Sequence, residues 1–317
     1  MRKVGLFGGS FDPIHKAHIY IAKFALEQLN LDEVQFIPTK NNPWKDTNYA
    51  SSVDRINMIN LVIKDYDYLS INTIEIDSMD NDKNYTIYTI KTLIEKNPDI
   101  QYYYIMGMDQ ANAFYKWKEA NEIDKLVHLV AFQRGGYNED KDKLKDYHFT
   151  ILNNEPVIAS SSEARNGNIE ILDKDVLKYI TNHGLYLETI ISSKISNKRW
   201  LHTCSVAKLA SEIAESNHLD AQKAYIAGMF HDIAKEMPLN KTIEIMNKFF
   251  PKYVDKPHAI LHQWVSRYIT EKVYLIDDKE ILDAIEHHTT ASIHMSSIGK
   301  CVYVADKLHP LRDYDSS

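Results

Sequence analysis

The sequence predicts an α/β domain built on a doubly wound parallel sheet, followed by an all-α domain. Three observations carry that prediction. The run Lys3-Val4-Gly5-Leu6-Phe7 is apolar enough for an inner strand and ends in Gly8-Gly9, ahead of a helix-starting segment. A second strand, Val34-Gln35-Phe36-Ile37-Pro38, returns after one amphipathic stretch, and strand–helix–strand order makes a right-handed parallel unit. After Tyr186 the strand-like runs stop and helical periodicity continues to the end.

At 317 residues the chain has room for two domains. The boundary is expected near residue 188, giving domains of 1–188 and 189–317. A hydrophobic content of 44% with 26% charged residues is that of an ordinary soluble globular protein. A net charge of −7 argues against a general nucleic-acid binder, though not against small anionic ligands held by local positive charge. Cys204 and Cys301 give neither a disulfide framework nor a metal spacing, which fits a reducing compartment. No leader and no membrane-length apolar run is visible, so the expected location is the cytoplasm, with no membrane partner. A homo-oligomer is compatible with the sequence but not read from it.

The elements follow in order. Gly8-Gly9 would supply backbone conformations closed to other residues and let a ligand approach the main chain. Asp12 and Pro13 are helix-start residues. His15 and His18 stand three apart, so on a helix they face the same way, beside N–H groups that suit an anion. Residues 19–29 continue as an amphipathic helix. The loop after Ile37 is stiffened by prolines and carries Lys40 and Lys45. Residues 52–62 read as a helix bearing Arg55, 71–76 as a strand, and 85–94 as a helix. Residues 102–107 read as an inner strand ending at Gly107. Asp109 and a helix with Phe114, Trp117 and Lys118 come next, then a strand at 129–132 running into Gln133-Arg134. Ser160-Ser161-Ser162-Glu163-Ala164-Arg165 is a serine-rich helix start with an arginine one turn in, a second place for phosphate. Ligands of such sheets bind beyond the carboxyl ends of the strands, where these loops gather.

The string Gly9-Ser10-Phe11-Asp12-Pro13-Ile14-His15-Lys16-Ala17-His18 resembles the GxFxPxHxGH signature of the nucleotidylyltransferase superfamily, with Ala17 in place of Gly. The serine-rich string is similar to the ISSTxIR motif of bacterial nicotinate-mononucleotide adenylyltransferases. Asn84-Tyr85-Thr86 with Thr89, Ile90 and Leu93 resembles their SYTxxTL segment, and 105–118 their FIMGxDxxxxFxxWK segment. Tyr88, Gly135, Ala159 and Ala164 depart from the family pattern without removing a phosphate-contacting group. The resemblance spans about residues 1–188. It implies attack of the nicotinate mononucleotide phosphate on the α-phosphorus of ATP, giving deamido-NAD and pyrophosphate, with Mg²⁺ neutralising ATP. His15 and His18 would be the catalytic pair. Gly8, Gly9, Ser10, Phe11, Lys45, Ser161, Ser162 and Arg165 would hold ATP and its phosphates, and Thr86, Gly107, Asp109, Trp117 and Arg134 would bind the substrates, Thr86 and Trp117 at the pyridine ring and Asp109 on the adenosine side. The nicotinamide form of the substrate stays open as an alternative.

In the second half, His and Asp recur in a fixed order: His202, His231-Asp232, His258, His262, His287-His288 and Asp306. His231-Asp232 lies inside an apolar run, where two polar groups cost several kcal/mol unless they are paired or bind metal. Imidazole and carboxylate ligands on facing helices suit transition metals. The pieces Arg199-Trp200-Leu201-His202-Thr203, Phe230-His231-Asp232-Ile233-Ala234-Lys235, Leu261-His262, His288-Thr289 and Tyr303-Val304-Ala305-Asp306 resemble HD-domain phosphohydrolases, and more closely the bacterial symmetrical diadenosine tetraphosphate hydrolases. The resemblance implies that His202, His231, Asp232, His262, His288 and Asp306 hold two metal ions, iron in that family. Lys235 would act on the leaving group or bind phosphate, and Arg312 would meet another phosphate. The substrate would be a dinucleoside polyphosphate, cut to two ADP in the case of diadenosine tetraphosphate. A nucleotide phosphomonoesterase and a non-catalytic nucleotide sensor remain alternatives. The family carries further helices past Asp306, so the resemblance also implies a C-terminally trimmed or shortened domain.

Overall fold

The computed structural model describes residues 1–40, 49–78 and 85–310. The chain divides into two compact units, Met1–Ala164 with Glu170–Val176, and Arg165–Ile169 with the chain from Leu177 onward. The first unit carries β1 (Arg2–Gly9), α1 (Lys16–Leu29), β2 (Glu33–Pro38), α2 (Ser52–Ile63), β3 (Leu69–Ile71), α3 (Thr86–Lys96), β4 (Ile100–Gly107), α4 (Met108–Ala111), α5 (Ala120–Leu126), β5 (His128–Phe132), α6 (Lys141–Leu144) and β6 (Phe149–Ile151). The short α7 (Ser161–Arg165) and α8 (Lys174–Asn182) span the junctions. Seven helices follow: α9 (Leu187–Ser192), α10 (Asn197–Ser216), α11 (Ala221–Phe230), α12 (Leu239–Phe249), α13 (His258–Lys272), α14 (Lys279–His287) and α15 (Ser297–Leu308).

The six strands run parallel in the order β3-β2-β1-β4-β5-β6. Strand order reverses between β1 and β4, the switch point at which doubly wound sheets open a crevice. The register brings Gly8 beside Ile37 and Gly107 beside Phe132, so the glycine-bearing strand ends line one edge. Leu6, Tyr104, Met106 and Leu129 on the strands pack with Ile87, Ile90, Phe114 and Ile123 to form the core of one sheet face. The second unit, among the described residues, is helical throughout; one of its cores joins Met246, Leu261, Trp264 and Val265. No helix among the described residues is long and apolar enough to cross a membrane.

Several local expectations are corrected. The strand expected at 71–76 is β3, Leu69–Ile71. Asn72 ends it, its side-chain carbonyl accepting from Ile74 N–H at 3.2 Å, the local turn this residue favours. The helix expected to carry Trp117 is only α4 and a 3-10 turn at Phe114–Lys116. Asn112 stops it by bonding sideways to Asn138 O (2.8 Å) and Asp140 N–H (3.1 Å). Residues 177–188 pack with the helical unit rather than the sheet: Thr181 Oγ1 donates to Tyr274 O at 2.9 Å, and Tyr225 OH to Glu188 Oε1 at 3.3 Å.

Helices α10 and α11 form a close pair in the second unit, and Gly228 makes it possible. A Cβ at Gly228 would lie 2.5 Å from Ala207 Cα, against backbone that cannot swing aside. Gly228→Ala should therefore destabilise this unit by about 1–3 kcal/mol through overpacking, read as a lowered urea midpoint by circular dichroism.

Candidate active sites

In the first unit the carboxyl edge of the sheet opens a cleft of about 1000 Å³, lined by Gly8, Gly9, His15, His18, Thr86 and Trp117 among others. Neither Gly8 nor Gly9 adopts a left-handed backbone, contrary to expectation. Space is what they supply: a Cβ would meet Tyr104 Oη at 2.5 Å from Gly8 and the Phe11 ring at 3.0 Å from Gly9. The left-handed residue is Phe11, at φ 47°, a conformation that costs a non-glycine residue about 1–3 kcal/mol. Its ring is buried edge-on against Phe7, Phe36 and His18, which offsets the strain.

Asp12 and Pro13 precede α1 instead of starting it. The Asp12 carboxylate accepts from the N–H groups of Tyr49 (2.8 Å) and Ala50 (3.1 Å). Arg55, fully buried, donates to Ser10 O at 2.7 Å and to Ser52 Oγ at 3.1 Å. This buried guanidinium holds the backbone of the loop after β1, a role that helix periodicity alone could not reveal.

His15 caps α1 and His18 sits in its first turn, their rings stacked at 3.7 Å. His15 N–H donates to His18 Nδ1 at 3.1 Å, so neutral His18 carries its proton on Nε2. Burial, then the nearby Arg134, lowers the His15 pKa to about 4. Burial, His15 and Arg134 hold His18 well below the ordinary imidazole value. The pair is thus a set of neutral N–H donors at neutral pH, next to a helix N-terminus.

Arg134 Nη1 pairs with Asp109 Oδ2 at 2.7 Å. The other oxygen, Asp109 Oδ1, and the indole Trp117 Nε1 are buried without a hydrogen-bond partner among the described residues. Both belong to cleft-lining residues, an acceptor and a donor left for a ligand. Ser161 Oγ donates to Pro13 O at 2.9 Å, which fastens the second serine-rich turn to the first motif. Ser160 caps that turn with Glu163, while Ser161 and Ser162 line the cleft. Arg165 ends the same helix and is buried. Lys45, Asn84 and Arg312 lie outside the described residues. Buried Glu75, unanticipated, also lines the cleft and accepts from Thr89 Oγ1 at 3.0 Å; burial raises its pKa to about 7.

In the second unit all six expected ligands converge. Only His202, His262 and Asp306 lie within helices; His231-Asp232 and His288 follow the ends of α11 and α14. Asp232 is the hub. Its Oδ2 lies 3.3 Å from His202 Nε2 and 3.5 Å from His231 Nε2, and its Oδ1 3.2 Å from His262 Nε2 and 3.4 Å from His288 Nε2. Asp306 Oδ1 adds to the first side, 3.4 Å from His202 Nε2. His258 is exposed at the start of α13, and His287 pairs with Asp283 at 3.0 Å, so neither belongs to the cluster.

The ring tautomers are fixed. His231 Nδ1 lies 2.7 Å from Gly228 O and His288 Nδ1 2.7 Å from Ile285 O. A carbonyl only accepts, so each Nδ1 carries the proton and each Nε2 presents a lone pair inward. Yet His202 and His231 face each other Nε2 to Nε2 at 3.1 Å, as do His262 and His288. Burial holds His231 down to about 4 and lowers His262 as well, so these two rings disfavour the charged form. Burial by itself would raise Asp232, but His231, His202, His262 and His288 outweigh it and keep the carboxylate ionised. Lone pairs converging about an ionised carboxylate are the electrostatics of a cation site. Donors about 2.1 Å from a common ion at right angles stand about 3 Å apart, close to the spacing seen. The donors form two groups that could each hold an ion, His202-His231-Asp232 and Asp232-His262-His288. Arg199 Nη1 lies 2.6 Å from Asp232 Oδ2 and Lys235 Nζ 3.3 Å from the His262 ring, cationic groups at the rim of the cluster.

The cytidylyltransferase-like family matches residues 6–167, and the HD domain family matches residues 199–311. A probable nicotinate-nucleotide adenylyltransferase/Ap4A hydrolase of Mycoplasma genitalium is 33% identical over 98% of this chain and 88% of its own length. Its namesake from Mycoplasma pneumoniae is 29% identical over 98% of this chain and 89% of its own length. Among solved structures, a Plasmodium falciparum nicotinic acid mononucleotide adenylyltransferase complexed with NaAD shares the fold of the first unit. It has a TM-score of 0.51 and 22% identity, covering 59% of this chain and 98% of that one. The chain belongs to the cytidylyltransferase-like family, among the nicotinate-nucleotide adenylyltransferases that carry an HD domain behind the nucleotidyltransferase unit.

Proposed function

We propose that the chain is a bifunctional enzyme. The first unit transfers adenylate from Mg²⁺-ATP to nicotinate mononucleotide, giving deamido-NAD and pyrophosphate. The second hydrolyses dinucleoside polyphosphates, diadenosine tetraphosphate to two ADP. The names of full-length relatives support both halves. The observation that carries the proposal is the tautomer logic of the two clusters: a neutral N–H donor on cleft-lining His18 in one unit, lone pairs on His231 and His288 facing inward in the other.

In adenylyl transfer no protein nucleophile is needed, and catalysis is positioning with charge stabilisation. His18 Nε2–H donates to the ATP phosphates, with His15 stacked behind it. The glycine turn at Gly8-Gly9, the loop residues Ser10 and Phe11, and the Ser161-Ser162 turn with Arg165 and Lys45 hold the triphosphate. Trp117 and Thr86 take the pyridine side, and Asp109 with Gly107 and Arg134 the adenosine side. The tests cross the units. His18→Ala should lower adenylyl transfer about 10²–10³-fold, the cost of a lost transition-state donor, while leaving dinucleotide hydrolysis intact.

In the helical unit, His202, His231, Asp232 and Asp306 would hold one divalent ion and Asp232, His262 and His288 the other, both iron. Such ions supply activated water and neutralise phosphate charge. Lys235 and Arg199 meet the remaining phosphate charge. Asp232→Asn should strip the metal, seen by elemental analysis, and abolish release of ADP from diadenosine tetraphosphate with adenylyl transfer retained. Inorganic phosphate as product would overturn the substrate assignment. We place this chemistry in the cytoplasm.

His15 also gives a stability prediction. The unfolded chain takes up this proton near the ordinary value of 6.5, the folded one only near 4. The unfolded state therefore binds more protons between these values, and stability present above 6.5 is lost as pH falls. The loss from this residue between pH 6.5 and 5 is about 2 kcal/mol. Urea midpoints across that range should fall less steeply in His15→Gln.

A further inference from the structure

His309 was not anticipated in the sequence, and it touches the metal cluster from outside. Its Nε2 lies 3.0 Å from His202 Nδ1, with the rings at 79°. It is 3% exposed, at the end of α15, where its own N–H donates to Ala305 O at 3.0 Å.

The outer partners of the other rings make the contrast. His231 and His288 each turn Nδ1 onto a carbonyl of their own helix, Gly228 O and Ile285 O. His202 sits in mid-helix, where the neighbouring carbonyls are spent on the helix ladder. Its Nδ1 reaches an imidazole from a different helix instead. His202 Nε2 faces Asp232 Oδ2 at 3.3 Å and Asp306 Oδ1 at 3.4 Å, so to bind an ion it must keep its lone pair there. The proton then belongs on Nδ1 and is donated to His309 Nε2. Helix α15 thus grips the ring from both sides, with Asp306 at one nitrogen and His309 at the other.

We propose that His309 is a positioning residue of the metal centre: it fixes the tautomer and orientation of His202 and so aims Nε2 at the ion shared with His231, Asp232 and Asp306. The proposal rests on the metal-binding role proposed above for this cluster. Outer-shell partners of this kind typically govern metal affinity by about 10–100-fold.

The test is Co²⁺ titration of the metal-stripped full chain, followed by calorimetry and by the visible spectrum of the bound ion. Wild type should take two ions. His309→Phe, which keeps a ring but loses the acceptor, should weaken one ion about 10–100-fold and shift its Co²⁺ absorption. The ion on His262 and His288 should keep its affinity, which reports that the unit is folded. His309→Gln, whose amide oxygen can accept from Nδ1–H, should recover most of the loss. Two ions of unaltered affinity and spectrum in His309→Phe would overturn the role of His309 with the metal site intact. Equal loss in Phe and Gln variants would reduce His309 to packing, and a wild-type chain that takes no Co²⁺ would remove both this role and the metal centre.

Discussion

A buried carboxylate ringed by imidazoles calls for positive charge around it, and Asp232 is that carboxylate, met at Oδ2 by the Arg199 guanidinium at 2.6 Å. Desolvating a charge costs several kcal/mol or more unless it is paired and hydrogen-bonded. Much of the local architecture of the helical unit follows from this requirement. Helices α11 and α14 end just before His231 and His288, so the last-turn carbonyls of Gly228 and Ile285 are free of the ladder and can accept from Nδ1–H. One helix ending orients the ring and also turns the negative end of the helix dipole towards the cluster. Gly228 serves twice: its carbonyl orients His231, and its missing Cβ lets α10 bring His202 close.

The sheet unit answers the opposite electrostatic problem. The triphosphate proposed as its ligand would bring negative charge, so the cleft needs donors and modest positive potential. The N-terminal end of α1, the neutral His15–His18 pair and Arg134 supply it. Neutral imidazoles are the economical choice there, since a buried imidazolium pair stacked at 3.7 Å would repel itself and Arg134. The strain held at Phe11 fits the same plan: the left-handed turn is kept by ring packing and by Arg55 on the Ser10 carbonyl, and the loop is in place before a ligand arrives.

Chemistry written in short strings was legible in the sequence. The side-by-side placement of His15 and His18 could be anticipated because residues three apart on a chain entering a helix share a face. The six donors that the HD-domain resemblance implied do converge in space, because few residue types can ligate a metal and their short strings are easy to pick out. Features made by long-range contact were not legible. Asp232 as hub, Arg55 beneath Ser10, Arg199 on Asp232 and His309 behind His202 all join residues far apart in sequence, and none has a local period. Short elements failed for another reason. Single side chains, Asn72 and Asn112, end β3 and α4 by bonding locally or sideways, which outweighs a few residues of propensity. The packing boundary misled because the break in periodicity at Tyr186 is one of composition, whereas Thr181 is already bonded to Tyr274.

The two halves of the metal cluster are not equivalent. On the Oδ2 side the donors are two imidazoles and a second carboxylate, Asp306, but Arg199 shares Oδ2 at 2.6 Å. A carboxylate oxygen has two lone pairs, so the guanidinium and an ion can both be accommodated. The guanidinium also fixes the carboxylate plane, which a mobile ammonium would not do as well. On the Oδ1 side two imidazoles stand without a second carboxylate among the described residues, and the Thr289 hydroxyl lies 2.9 Å from His288 Nε2. The first position is therefore rich in charge and held from outside by Arg199 and His309. The second is poorer in charge, with a hydroxyl and Lys235 at hand. An ion in the first position would meet the stronger field, so the donors described suit that position to anchoring.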